Sequence, residues 1–166
     1  MKATNYRTVA FYLIALLVAV GIDQWIKFWV ETNLPLQVPE PFLPYISLYR
    51  TYNTGIAFSL LRSVGDTGLI VVSLLIIGFV SYLALRSAPG LGLARFGFVL
   101  IIGGALGNLV DRIVYGHVID YVMFHTDNWS FAIFNLADAF ISVGAALVVI
   151  EELIVWWRGP RAGEAG

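Results

Sequence analysis

Four runs of apolar residues, set apart by polar segments, organise this chain: Val9 to Val30, Gly68 to Leu85, Phe96 to Val114 and Phe131 to Ile150. Each has about the length that ~30 Å of hydrocarbon demands of a helix rising ~1.5 Å per residue. The pattern predicts four transmembrane helices. The longest segment between them, Glu31 to Thr67, is too short to bury a sizeable core of its own. The expected architecture is therefore an all-α integral membrane protein, a single membrane domain over 1–166 with an extracytoplasmic insertion over 31–67. Lys2 and Arg7 ahead of an apolar run ending near Ala19-Val20-Gly21 also fit a cleaved signal peptide. The run continues through Trp25, Ile26, Phe28 and Trp29, which favours a retained first span.

Between the spans the periodicity changes. Pro35, Pro39, Pro41 and Pro44 keep the start of the insertion from being helical. Tyr45 to Thr54, rich in aromatic and β-branched residues, reads as a strand or short hairpin, and Ile56 to Leu61 as a short interfacial helix. In His117 to Phe124, Val118, Asp120, Val122 and Phe124 alternate with Ile119, Tyr121 and Met123, the pattern of a second strand. These two pieces are expected to pair as a small extracytoplasmic sheet resting on the bundle. Only the tail after Gly159 reads as disordered.

Composition supports a lipid solvent: 59% of residues are hydrophobic and 13% charged, outside the mix of an ordinary soluble domain. The absence of cysteine removes disulfides, thiolate nucleophiles and Cys-based metal sites. A net charge of -1 without a basic run makes nucleic acid an unexpected partner. With the N-terminus inside, Lys2, Arg7, Arg86, Arg95, Arg158 and Arg161 cluster at cytoplasmic span ends, as the positive-inside rule requires. Lys27, Arg50, Arg62 and Arg112 then lie on the outer side, and both termini are cytoplasmic.

Alternating span direction brings the polar positions to one leaflet. Asp23, Gln24 and Lys27 come late in the first span, Asn108, Asp111 and Arg112 late in the third, and Asn135 and Asp138 early in the fourth. Ionisable groups in a span face the bundle interior or a hydrated cavity, so a polar pocket open to the outside is implied. Asp120 lies just beyond the third span, close enough in sequence for its carboxylate to meet that of Asp138. Two adjacent carboxyl groups share a proton, one acting as base on a water and the other as acid toward a carbonyl. The alternative is a solvated loop residue at Asp120 and a dipole-stabilised helix-start carboxylate at Asp138.

Asp23 and Lys27, four apart, have the spacing of an intrahelical ion pair. Asp111 is expected to neutralise Arg112 while Asn108 faces the pocket. Asn135 either holds substrate backbone or caps the fourth helix. Gly103, Gly104 and Gly107 point to close helix packing. His117 and His125, the only histidines, form no H-E-x-x-H pattern, so no metal or other cofactor is expected. Ser59, Ser63 and Ser130 lie outside any nucleophile-elbow pattern, and a Ser-Lys pair through Lys27 stays open in principle. A non-enzymatic proton-coupled carrier or assembly factor would use the same carboxylates, but with charges nearer the bilayer midplane.

Taken together, Asp23-Gln24-x-x-Lys27, Asn53-x-Gly55-x-Ala57-Phe58, Gly103-Gly104-Ala105-Leu106-Gly107-Asn108-Leu109-x-Asp111-Arg112, His117-Val118-Ile119-Asp120 and Phe134-Asn135-x-Ala137-Asp138 resemble, over nearly the whole chain, the bacterial lipoprotein signal peptidases (signal peptidase II). The resemblance implies an aspartic endopeptidase of the inner membrane that removes the signal peptide from diacylglyceryl-modified prolipoproteins. By that resemblance Asp120 and Asp138 match the catalytic pair, and Asn53, Gly55, Asn108, Arg112, Asn135 and Ala137 the substrate pocket. Asp23, Lys27 and Asp111 are then supporting polar residues, globomycin-type inhibitors occupy the same pocket, and the expected partners are the lipidated substrate and membrane lipid, with the enzyme a monomer. Ile26 stands where Ser or Thr is frequent and Ile119 where Val is usual. Both departures bear on pocket shape rather than on the carboxylates.

Overall fold

The computed structural model describes residues 6–55, 65–87, 91–126 and 128–159. The element order is α1 (Tyr6–Asn33), β1 (Glu40–Leu43), β2 (Ile46–Asn53), α2 (Gly65–Arg86), α3 (Gly92–Tyr115), β3 (Val118–His125), β4 (Ser130–Phe134) and α4 (Leu136–Arg158). All four helices are long and apolar enough to cross a membrane. The expected interfacial helix over 56–61 falls outside the described residues, as do Lys2, Arg161, Ser59, Ser63, Arg62 and the tail beyond Gly159.

Helix α1 runs three residues past the expected end at Val30. It stops before Pro35, whose ring disfavours helical geometry at Leu34. The side chains of Thr32 and Asn33 fold back on the last turn and donate to the carbonyls of Phe28 and Trp29, so neither polar group is left facing lipid unpaired. At the other end of the chain the boundary expected at Phe131 is displaced. Ser130–Phe134 is a strand, and α4 begins at Leu136. A continuous apolar run carries no periodicity to separate buried strand from helix, and Asn135 marks the true start. Its backbone is extended, its side chain accepts from the Asp138 N–H, and the Asp138 carboxylate accepts from the Asn135 N–H, a complete capping box.

The sheet has four antiparallel strands in the order β1-β2-β3-β4, rather than the expected two. It sits on the C-terminal end of α1: Val30 and Leu34 are buried against Ile119 and Tyr121 of β3, with Ile26, Leu48, Tyr52, Val122 and Leu136 around them. Since strand side chains alternate, anchoring Ile119 and Tyr121 on α1 sends Asp120 to the opposite face. Helices α3 and α4 pack through glycines. A methyl on Gly144 would sit 2.5 Å from the Gly97 carbonyl oxygen, so the two backbones touch as small residues permit.

Candidate active site

A buried ionic junction ties the C-terminal ends of α1 and α3 to the start of α4. Lys27 Nζ lies 2.8 Å from Asp23 Oδ2 and 2.7 Å from Asp111 Oδ2, and all three side chains are sealed from solvent. A buried pair is tolerated only when the remaining lone pairs are also met, and here they are. Asp23 Oδ1 accepts from the Ala137 N–H at 3.0 Å, Asp111 Oδ2 accepts from the Ile119 N–H, and Gln24 Nε2 bridges to Asp111 Oδ1 at 2.7 Å and to the Gly107 carbonyl. Four elements, α1, α3, β3 and α4, therefore converge on one lysine. The expected Asp23–Lys27 pair is present, whereas Asp111 and Arg112 form no direct ion pair, although the Asp111 charge still acts on the guanidinium. Asp111 turns inward to Lys27, and Arg112 donates from Nη1 to the Asn108 carbonyl. Adjacent residues on a helix point about 100° apart, so one carboxylate could not serve both the junction and the outer rim.

Three asparagines connect this junction to the two candidate carboxylates, and each amide is oriented by a group that can play only one role. Lys27 Nζ has no acceptor, so Asn108 offers it Oδ1 at 2.9 Å, leaving Nδ2 to donate to Asp138 Oδ1 at 2.8 Å. The Asp138 N–H engages Asn135 Oδ1, so Asn135 Nδ2 donates to Asp120 Oδ1 at 2.7 Å. The Gly55 N–H engages Asn53 Oδ1 at 2.8 Å, so Asn53 Nδ2 donates to Asp120 Oδ2 at 2.9 Å. That last turn requires Gly55, whose φ is +85°. Each carboxylate thus receives two donors, and Asn135 serves both: its amide reaches Asp120 and its backbone N–H reaches Asp138.

Asp120 is 2% exposed. Burial pushes its carboxyl up to about 6, against the pull of the Asn53 amide, and the negative charge of Asp138 adds to the rise. Asp120 can therefore hold a proton in mildly acidic conditions, which an isolated surface aspartate cannot. Asp138 fulfils the helix-start reading as well, since its Oδ2 closes the capping box while Oδ1 takes the Asn108 amide.

The sequence-derived set divides in space. Asn108, Asp138 and Asn135 close a hydrogen-bonded ring that Asp120 and then Asn53 extend, with Gly55 at its edge. Asp23, Lys27 and Asp111 lie beneath it. Arg112 stands beside the ring, within electrostatic reach of Asp138, Asp111 and Asp120. Ala137 does not face a cavity: it is fully buried, close to Gly104 and Gly107, with its N–H on Asp23. Two contributors escaped notice. The Tyr121 hydroxyl accepts from the Leu136 N–H at the mouth of α4, which nothing in an alternating strand announces. At the opposite end Glu151 caps α3 by accepting from the Ala94 N–H, and the lack of a capping side chain at Leu91 was the available hint.

Known proteins share this fold. Two solved structures, each described as a bacterial membrane enzyme structure obtained by the in meso method, superpose on the chain. One, at 2.3 Å resolution, has a TM-score of 0.81 at 23% identity, with 95% of this chain and 96% of that chain covered. The other, at 1.9 Å, has a TM-score of 0.78 at 24% identity over 87% and 94%. Among curated proteins, a lipoprotein signal peptidase of Mesorhizobium japonicum is 63% identical over 149 residues, covering 90% of this chain and 89% of the relative. One of Brucella ovis is 51% identical over 146 residues, covering 88% and 91%. A family model described as signal peptidase (SPase) II matches residues 14–154. Four apolar helices and this match together describe a multi-pass inner-membrane protein. Because the matched stretch runs from the first span into the fourth and takes in every residue of the asparagine-linked ring, the chain belongs to the signal peptidase II family.

Proposed function

We propose that this chain is an aspartic endopeptidase that removes the signal peptide from diacylglyceryl-modified prolipoproteins, with Asp120 and Asp138 as its catalytic residues. The observation that carries the reading is the shared asparagine. Asn135 holds both carboxylates at once, so a strand residue and a helix residue act as one proton-sharing unit. The ionised partner takes a proton from water as the oxygen adds to the scissile carbonyl, and the protonated partner donates to the carbonyl oxygen. Collapse of the tetrahedral species breaks the C–N bond, with the proton passing to the departing cysteine amine.

Asn53, Asn108 and Arg112 border the carboxylates and bind the extended substrate backbone, and Gly55 keeps that edge free of a side chain. Both termini are cytoplasmic, and the site opens at the extracytoplasmic face, where a lipidated precursor arrives by lateral diffusion. The protein works as a monomeric, single membrane domain, without cofactor or nucleic acid. Globomycin-type inhibitors compete for the same pocket. The test is to mix purified protein with a diacylglyceryl-modified precursor and, separately, with the unmodified one, chelator present throughout. A mass loss equal to the signal peptide only in the first tube supports the reading. Equal cleavage of both, or none with chelator, overturns it.

A further inference from the structure

The end of the bundle away from Asp120 holds two charges that the chemistry does not use. Helices α2 and α4 each pack on α3 and scarcely on one another. Between them, Arg86, the last residue of α2, and Glu152 of α4 border a cavity of about 420 Å³ lined by Leu83, Leu91, Phe98 and Val148, a volume that suits a small ligand. Glu152 lies about 21 Å along α4 from Asp138, at ~1.5 Å per residue. It stands one turn before Trp156 and Trp157, whose exposed rings suit the headgroup boundary. An ionisable group on a spanning helix calls for a partner, and the neighbouring polar groups are already spent. Glu151 accepts from the Ala94 N–H, and Arg95 donates to the Ser87 carbonyl. The Arg86 guanidinium lies 5.3 Å from the centroid of the Tyr82 ring, a contact that leaves its N–H donors free. Among the described residues, Arg86 and Glu152 form no ion pair with each other or with any other side chain.

We propose that this cavity is a binding site for a zwitterionic phospholipid with a primary amine, phosphatidylethanolamine. Arg86 takes the phosphate, whose oxygens match the guanidinium fork, Glu152 takes the ammonium, and the apolar wall takes the upper part of one acyl chain. Charge complementarity selects this occupant. Phosphatidylglycerol satisfies Arg86 but brings only negative charge to Glu152, and the choline of phosphatidylcholine has no N–H to donate to a carboxylate. The basic N-terminal segment of a signal peptide satisfies Glu152 but meets the like charge of Arg86. The ethanolamine headgroup presents both signs, with three donors on its nitrogen. A lipid seated there joins α2 to α4, the two helices that scarcely meet. Its binding is independent of the peptidase chemistry.

The test reads lipid rather than turnover, so it is separate from the test of the peptidase reading. Purified full-length protein in detergent micelles is titrated with phosphatidylethanolamine, phosphatidylcholine or phosphatidylglycerol of matched acyl chains, and bound lipid is counted by native mass spectrometry. One phosphatidylethanolamine per chain is expected, held about tenfold or more tighter than either of the others. Glu152→Gln should bring it down to the level of phosphatidylcholine, and Arg86→Gln should weaken all three. Glu152→Lys should turn the preference toward phosphatidylglycerol, a gain that misfolding cannot imitate. Equal retention of the three lipids by the unaltered protein, or a phosphatidylethanolamine preference that survives Glu152→Gln, would overturn the proposal. So would displacement of the lipid by an equimolar basic signal-peptide fragment, which would assign the cavity to the substrate.

Discussion

Replacing Lys27 by methionine keeps the length of the side chain and removes its charge. In the native protein that charge lies 2.8 Å from Asp23 and 2.7 Å from Asp111, neither of which is exposed. Removing one partner of a buried ion pair costs about 3–5 kcal/mol because the other charge is left uncompensated. The Asn108 amide also loses the group that fixes it, and with it the directed donor to Asp138. Lys27→Met should therefore lower the unfolding free energy by at least about 3 kcal/mol in SDS-titrated mixed micelles and abolish turnover. The triple variant Asp23→Asn, Lys27→Met, Asp111→Asn removes all three charges and should regain most of the stability, but not the activity. If Lys27→Met costs under about 1 kcal/mol, or the triple variant is no more stable than the single, the junction does not organise the bundle.

Substituting Asn135 by aspartate keeps an acceptor for the Asp138 N–H while replacing the donor to Asp120 with a charge. The protein should stay folded yet lose more than about a hundredfold in kcat, measured by single-turnover cleavage. A carboxyl raised to about 6 is protonated below that pH and ionised above it. With Asp120 holding the shared proton, kcat/KM should fall as pH rises through about 6. Asn53→Ala, which removes a donor favouring the charged form, should move that limb to higher pH. The same group favours the folded state below its unfolded value of 3.8, a contribution lost as pH climbs through about 6, so stability monitored by tryptophan fluorescence should decline across that window. Gly144→Ala drives a methyl against the Gly97 carbonyl and should cost about 1–3 kcal/mol by the same unfolding assay, with reduced turnover as α3 and α4 separate.

The parts of the molecule legible in sequence were those governed by solvent. Long apolar runs mark the four spans, and the cost of charge in lipid implies that Asp23, Lys27, Asn108, Asp111 and Asp138 gather at one end of the bundle, as they do. Hydrogen-bond direction was not legible. Spacing on α3 favoured Asp111 with Arg112, and only the approach of α1 shows that Lys27 claims that carboxylate. Phe131–Phe134 misled for a related reason: an unbroken apolar run is compatible with either geometry, and the decision lay in Asn135 as a cap. Strand β1 was hidden by Pro39 and Pro41, residues that an edge strand tolerates because one side of it needs no partner. The burial of Ala137 against Gly104 and Gly107 was not legible either, because it is set by the approach of α3 and α4 rather than by any local pattern.

The most direct measurement is single-turnover cleavage of a diacylglyceryl-modified precursor by Asp120→Asn and Asp138→Asn, each first shown to be folded and membrane-inserted. Either change leaves one carboxylate without a partner to trade a proton with, so each should drop the rate by about 10³-fold or more while substrate still binds. Substantial turnover by either folded variant would contradict the assignment of the chemistry to this pair.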